Sequence, residues 1–143
     1  MATPCTEPGI TGACNCGAVS FRMDAISDVY VCHCSICRRS ASGAGFAVGI
    51  VNKDQFHWLG STEPVTTWTK PGHDWQTSFC KICGSSLPGE NDDKRMYVPV
   101  GLLTSGYDAL KVAHHIYVES RAGWEVIGDS GVQHPEAFGS AGD

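Results

Sequence analysis

Long apolar runs, helical periodicity and a basic surface are all scarce in this chain. No stretch approaches the roughly 18 apolar residues that a membrane span needs, so no membrane partner is expected. The start, "MATPCTEPGITGAC", lacks the basic opening and apolar middle of a secretory signal, which makes the cytoplasm the expected compartment. Charged residues are only 17% of the chain and the formal net charge is -5. The basic residues amount to "CRRS" and scattered lysines, too little for the electrostatic footprint of a nucleic-acid binder. Helical pattern is confined to "SICRRSA", one or two turns, and "NKDQF", a further turn. Internal repeats beyond the cysteine pairs and linker-like composition are both missing, so the 143 residues read as one domain.

What is present is turn-forming and alternating. Seventeen glycines and seven prolines punctuate the chain. "GAVSFRM" alternates with Val19, Phe21 and Met23 on one face, the period-two mark of a half-buried strand. "GFAVGIV", "FHWLG", "VTTWT", "RMYVPVGLL" and "HHIYVE" read the same way. The fold class expected is mainly β, a single domain of short antiparallel sheets with few short helices. A body over residues 11–135 is expected between a flexible N-terminus, 1–10, and a flexible tail, 136–143, poorly ordered from about Gly139 onward. Trp58, Trp68, Trp75 and Trp124 read first as core filler.

Eight cysteines in a reducing compartment point to metal or redox chemistry and away from disulfides. Seven fall into three groups: Cys14 and Cys16 in "ACNCG", Cys32, Cys34 and Cys37 in "VCHCSIC", Cys80 and Cys83 in "FCKICGS". In extended backbone, residues two apart point the same way, so Cys14 pairs with Cys16 and Cys32 with Cys34, while His33 turns away. The C-x-x-C pairs suit tight turns, and Gly84 after Cys83 can supply a positive φ. A structural zinc takes four protein ligands, whereas a catalytic one usually takes three and leaves a position open. The simplest partition is therefore two zinc ions, one closed by Cys14, Cys16, Cys80 and Cys83, the other held by Cys32, Cys34 and Cys37 with a free position. A rival partition joins Cys34 and Cys37 to Cys80 and Cys83 as a zinc ribbon and leaves Cys14, Cys16 and Cys32 idle. Cys5 lies outside all groups, a free thiol or a fourth ligand able to shut the open site.

Taken in order, "GACNCGAVSF", "VCHCSICRRSASG", "FHWLGS", "FCKICGSSLPG", "VPVGLLTSG" and "HHIYVESRAGWEVIGD" resemble the glutathione-dependent formaldehyde-activating enzyme family, also called the centromere protein V/formaldehyde-activating domain family. The resemblance spans roughly residues 11 to 130. It implies β-sheets arranged like a tent around a structural zinc, and a ligand pattern that falls on the four-plus-three partition. It also implies an activity joining glutathione to formaldehyde to give S-hydroxymethylglutathione. Chromatin- and microtubule-binding members carry basic extensions, which this chain lacks.

A zinc ringed by three thiolates is electron-rich and favours a soft fourth partner. A substrate thiol could take that place, lose its proton and attack an aldehyde carbon, giving a hemithioacetal. Run backwards, the site cleaves a carbon–sulfur bond, so carbon–sulfur lyase is the fitting class, with Cys32, Cys34 and Cys37 as its centre. Arg38 and Arg39 either offset the negative trio and hold a substrate carboxylate or are solvated surface. His33 is expected in a structural hydrogen bond, and alternation puts one of His114 and His115 inside. Two other classes stand beside the lyase. A zinc-stabilised thiol carrier or binding module would not catalyse the addition. A methionine sulfoxide reductase would need a redox cysteine free of zinc, which leaves only Cys5.

Overall fold

The structure, a computed structural model, describes residues 9–141; Cys5 lies outside the described residues. The first sheet has the strand order β11-β1-β2-β5, formed by β1 (Ile10–Ala13), β2 (Ser20–Met23), β5 (Phe56–Leu59) and β11 (Leu103–Ser105). The second contains β3 (Val29–Cys32), β4 (Phe46–Asn52), β9 (Gly89–Glu90), β10 (Arg95–Pro99), β12 (Val112–Ile116) and β13 (Val132–Gln133), ordered β13-β12-β3-β4-β10-β9. The third is β6 (Val65–Thr69), β7 (Gln76–Cys80) and β8 (Ser86–Leu87) in sequence order. One short helix, α1 (Ser35–Ala41), leaves the end of β3. No described helix is long and apolar enough to cross a membrane.

The mainly β class holds, and pairing is antiparallel except around β12, which runs parallel to both β3 and β13. The expected strand over 65–69 and the helix over 35–41 appear at those limits. Three expected strands are shorter than their alternation. "GAVSFRM" becomes strand only from Ser20, because residues 14–17 close a turn through the Gly17 N–H to the Cys14 carbonyl. "RMYVPVGLL" stops at Pro99, which has no N–H to continue a ladder, and a 3-10 turn over Val100–Leu102 follows. "HHIYVE" stops at Ile116, since Tyr117 takes a left-handed φ of 58°.

The main core lies between the first two sheets. Phe21 and Met23 of β2 meet Val51 of β4, Met96 and Val98 of β10 and Leu103 of β11. Phe21 also stacks on Phe56 and takes the edge of Trp58. Its ring lies across Gly12, the residue opposite it on β1, where any Cβ would collide with it. A second core cluster, Cys14, Val19, Cys80 and Leu87, joins the end of the first sheet to the third. Each such large apolar side chain removed from water contributes about 1.5–3 kcal/mol. Trp58 packs here, but Trp68 and Trp124 remain 48% and 72% exposed, so core filling does not explain them.

Candidate functional site

Both cysteine clusters are products of turns. Cys14 ends the run of β1, and Cys16 sits in the turn into β2; Cys80 ends β7, and Cys83 sits in the turn into β8. Gly84 supplies the expected positive φ, 80°. The two turns face each other, with Cys14 and Cys16 sulfurs 3.6 Å apart and Cys16 and Cys80 sulfurs 3.8 Å apart. All four sulfurs lie within 4.8 Å of one another. A tetrahedral zinc with Zn–S bonds of about 2.3 Å needs sulfur–sulfur edges of about 3.8 Å, so the four thiols fit that ion. Ser85, which the cysteine pattern alone does not reveal, organises the cluster. Its hydroxyl accepts from the Asn15 N–H at 3.0 Å and lies 3.3 Å from the Cys83 sulfur. That hydroxyl, helped by the Ser85 and Cys16 N–H groups, lowers the Cys83 thiol to about 5, towards the thiolate a metal requires.

The second cluster is built by the β3–α1 junction. Cys32 closes β3, Cys34 caps α1 in extended backbone, and Cys37 lies one turn in. The Cys34 sulfur accepts the Cys37 N–H at 3.3 Å, a thiol in the role usually taken by a capping hydroxyl. The three sulfurs again lie within 4.8 Å of one another, and no further His, Cys, Asp or Glu joins the group among the described residues. The ribbon pairing of Cys34 and Cys37 with Cys80 and Cys83 is not formed; the cysteines separate into four and three. Within the trio, hydrogen bonding from Cys37 lowers the Cys32 thiol to about 6, and the same contact pushes Cys37 up. Crowded together, the thiols oppose one another's ionisation, a conflict that a bound divalent cation would remove.

Two of the trio, Cys32 and Cys37, line a cavity of about 540 Å³, bounded also by Phe46, Trp75 and Tyr97 and by the acidic residues Asp74, Glu90, Asp92 and Asp93. Burial pushes the Tyr97 phenol up, so it stays protonated. Among the described residues Arg38 Nε is buried without a hydrogen-bond partner. Arg39 lines a different cavity.

His33 faces away from the sulfurs, as alternation requires, and is fully buried. The parallel pairing of β3 with β12 brings it to His115, Nε2 to Nδ1 at 2.8 Å. Glu125 lies 2.8 Å from His33 Nδ1, and Asp129 lies 2.9 Å from His115 Nε2. Glu125, His33, His115 and Asp129 thus form one continuous chain of polar contacts. Neither acid has a local sequence signal, since both sit in "GWEVIGD", far along the chain from His33. His114, half-buried, instead meets His134 at 3.0 Å.

A β framework with one closed group of four thiols and one open group of three, each able to hold a metal, defines the class of protein. The family model for "Glutathione-dependent formaldehyde-activating enzyme" matches residues 9–120, and the chain belongs to that family. A Halomonas elongata protein whose name carries the same enzyme description is 31% identical over 87 residues, covering 54% of this chain and 54% of that protein. The chain thus matches about half the length of that curated relative. The crystal structure of a Rhodobacter sphaeroides protein superposes with a TM-score of 0.55 at 22% identity, covering 71% of this chain and 96% of that one; this likeness bears on fold alone.

Proposed function

We propose that the protein is a cytoplasmic, zinc-dependent carbon–sulfur lyase that joins a small thiol, glutathione or one like it, to formaldehyde or a related aldehyde. The observation that carries it is the trio: three sulfurs set for one metal, no fourth side-chain ligand beside them among the described residues, and a cavity above them. Cys14, Cys16, Cys80 and Cys83 would hold a structural zinc, and Cys32, Cys34 and Cys37 a second. That second ion would supply one vacant position favouring sulfur, where an incoming thiol becomes acidic. Family membership supports glutathione and formaldehyde as the substrates.

The side chains around the cavity supply binding and orientation. Asp74 and Asp93, which form no ion pair among the described residues, suit a ligand bearing an ammonium group, as glutathione does at its γ-glutamyl end. The ring of Tyr97, whose hydroxyl is hydrogen-bonded by Ser78, forms part of the cavity wall. The bond changes need no oxidant: the thiol sulfur bonds to the carbonyl carbon, the C=O π bond opens, and the proton lost by sulfur ends on oxygen. Glu125 and His115 fix the His33 ring and, through it, the backbone between Cys32 and Cys34.

The test is an exchange measurement by NMR on glutathione and formaldehyde, with a parallel titration of the cobalt-substituted trio. The expected results are faster formation of the hydroxymethyl adduct than in buffer and a thiol-dependent change in the cobalt spectrum. A spectral change without acceleration would make the protein a thiol carrier. No response to any thiol would remove the proposal.

A further inference from the structure

Strand register gives the third sheet two unlike faces. Cross-strand pairs put Trp68 beside Thr77 and Thr66 beside Phe79, with Ser86 opposite Phe79 on β8. The face that carries Ser78, Cys80 and Leu87 is buried in the body. The other face carries Trp68, Trp75, Thr77 and Phe79 and ends at Lys70, whose N–H bonds the Trp75 carbonyl at 2.9 Å to close the hairpin. Helix α1 turns its 36, 39, 40 side towards this face, the i, i+3, i+4 set that projects together. The two surfaces do not pack. Between them lies a cavity of about 400 Å³, walled by Trp68, Trp75 and Phe79 with Ile36 and small polar residues, whose only charged lining groups among the described residues are Arg39 and Lys70.

Neither cation is neutralised by an ion pair among the described residues, in a chain whose formal charge is -5. The ion pairs that Arg and Lys do form there engage Arg22, Lys53, Lys81 and Arg95. Trp68, at 48% exposed, leaves half of a large apolar side chain in water beside them. Aromatic walls with a few fixed charges are the make-up of a small-molecule site, and a guanidinium is suited to a carboxylate.

We infer that this cavity binds a small organic acid, its apolar or planar body against Trp68, Trp75 and Phe79 and its carboxylate at Arg39 and Lys70. This site stands apart from the thiol centre, although Trp75 also borders the cavity over the trio. The carboxylate can therefore belong to a free acid or to the far end of a ligand whose thiol reaches the trio.

The test uses the full, zinc-loaded chain, with 3-phenylpropionate and its uncharged amide as probes, followed by calorimetry and tryptophan fluorescence. The acid is expected to bind at least about ten-fold more tightly than the amide, the difference one charge-assisted contact supplies. Arg39→Gln with Lys70→Gln should erase that preference, and Trp68→Ala should weaken both probes. These positions lie at the cavity surface, and circular dichroism checks that the variants stay folded. Equal affinity for acid and amide, or no binding of either at millimolar concentration, overturns the inference. So does a fluorescence change on dilution alone with no response to acids, which would assign the face to a second copy of the chain. The cobalt-substituted protein separates the two sources. If saturating phenylpropionate weakens the spectral response to glutathione, the pocket holds the acid end of the thiol; if the responses are independent, it holds a separate acid. A trio silent to every thiol would remove the lyase proposal and leave this one standing.

Discussion

His33 Nε2 faces His115 Nδ1 at 2.8 Å across the parallel pairing of β3 and β12, with both rings buried. His115→Ala leaves His33 Nε2 without a partner where water does not reach. The expected cost is about 1–3 kcal/mol in urea denaturation of the zinc-loaded protein. A positioning role for the pair predicts, in addition, a changed cobalt spectrum at the trio in the folded variant. An unchanged spectrum would reduce the contact to a purely structural one.

The two cysteine clusters should respond differently to mutation. Native mass spectrometry is expected to count two zinc ions in the intact chain and one in Cys37→Ser, with Cys37→Ser remaining soluble. Cys80→Ser should lose soluble protein outright, because a structural zinc site can contribute about 10–16 kcal/mol of apparent binding free energy, as much as a whole domain's stability. Equal collapse of both variants would make the trio structural as well. Chelation of the intact chain should unfold it.

Asp129 gives a pH dependence with a defined sign. Hydrogen bonds from His115, first, and from the Gly131 N–H hold its carboxyl below the ordinary value of 3.8. A depressed carboxylate contributes stability that is full above the unfolded value and is lost as the pH falls through the folded one. Asp129→Asn should therefore flatten the acid side of the stability curve below about pH 4. Urea midpoints of the two proteins, measured between about pH 6 and 2, check this; parallel curves would show that Asp129 carries none of the dependence.

Phe21 is fully buried between the first two sheets and touches Phe56, Trp58 and the face of Gly12. Phe21→Ala should cost about 3–5 kcal/mol in equilibrium unfolding, since the surrounding strands can only partly close the space. A loss below about 1 kcal/mol would mean that the core re-forms around the gap.

Much of this was legible in residue order because the relevant physics is local. "VTTWT" alternates and "SICRRSA" offers one or two helical turns, so β6 and α1 fall where the pattern puts them. The spacing of two between Cys32 and Cys34 fixes which way His33 points, and counting sulfurs by coordination number separates four from three. The rest depends on contacts between distant segments. Nothing near Glu125 or Asp129 announces the histidine pair, because that contact is made by parallel strands about eighty residues apart in sequence, His33 to His115. The ends of β2, β10 and β12 shift because a Gly17 turn, a proline without an N–H and a left-handed Tyr117 overrule alternation. Trp68 looks like core by type alone; only the register with Thr77 shows that it faces the cavity beside α1.

The closed cluster also sets an order of events during synthesis. Its first two sulfurs leave the ribosome with Cys16, and its last two only with Cys83, so a metal held by all four would be enclosed only after the strands between those two turns had emerged. Cys16 remains at the surface in the finished molecule. An oxidant therefore has direct access to the sulfur cluster that joins the Cys14–Cys16 turn to the Cys80–Cys83 turn.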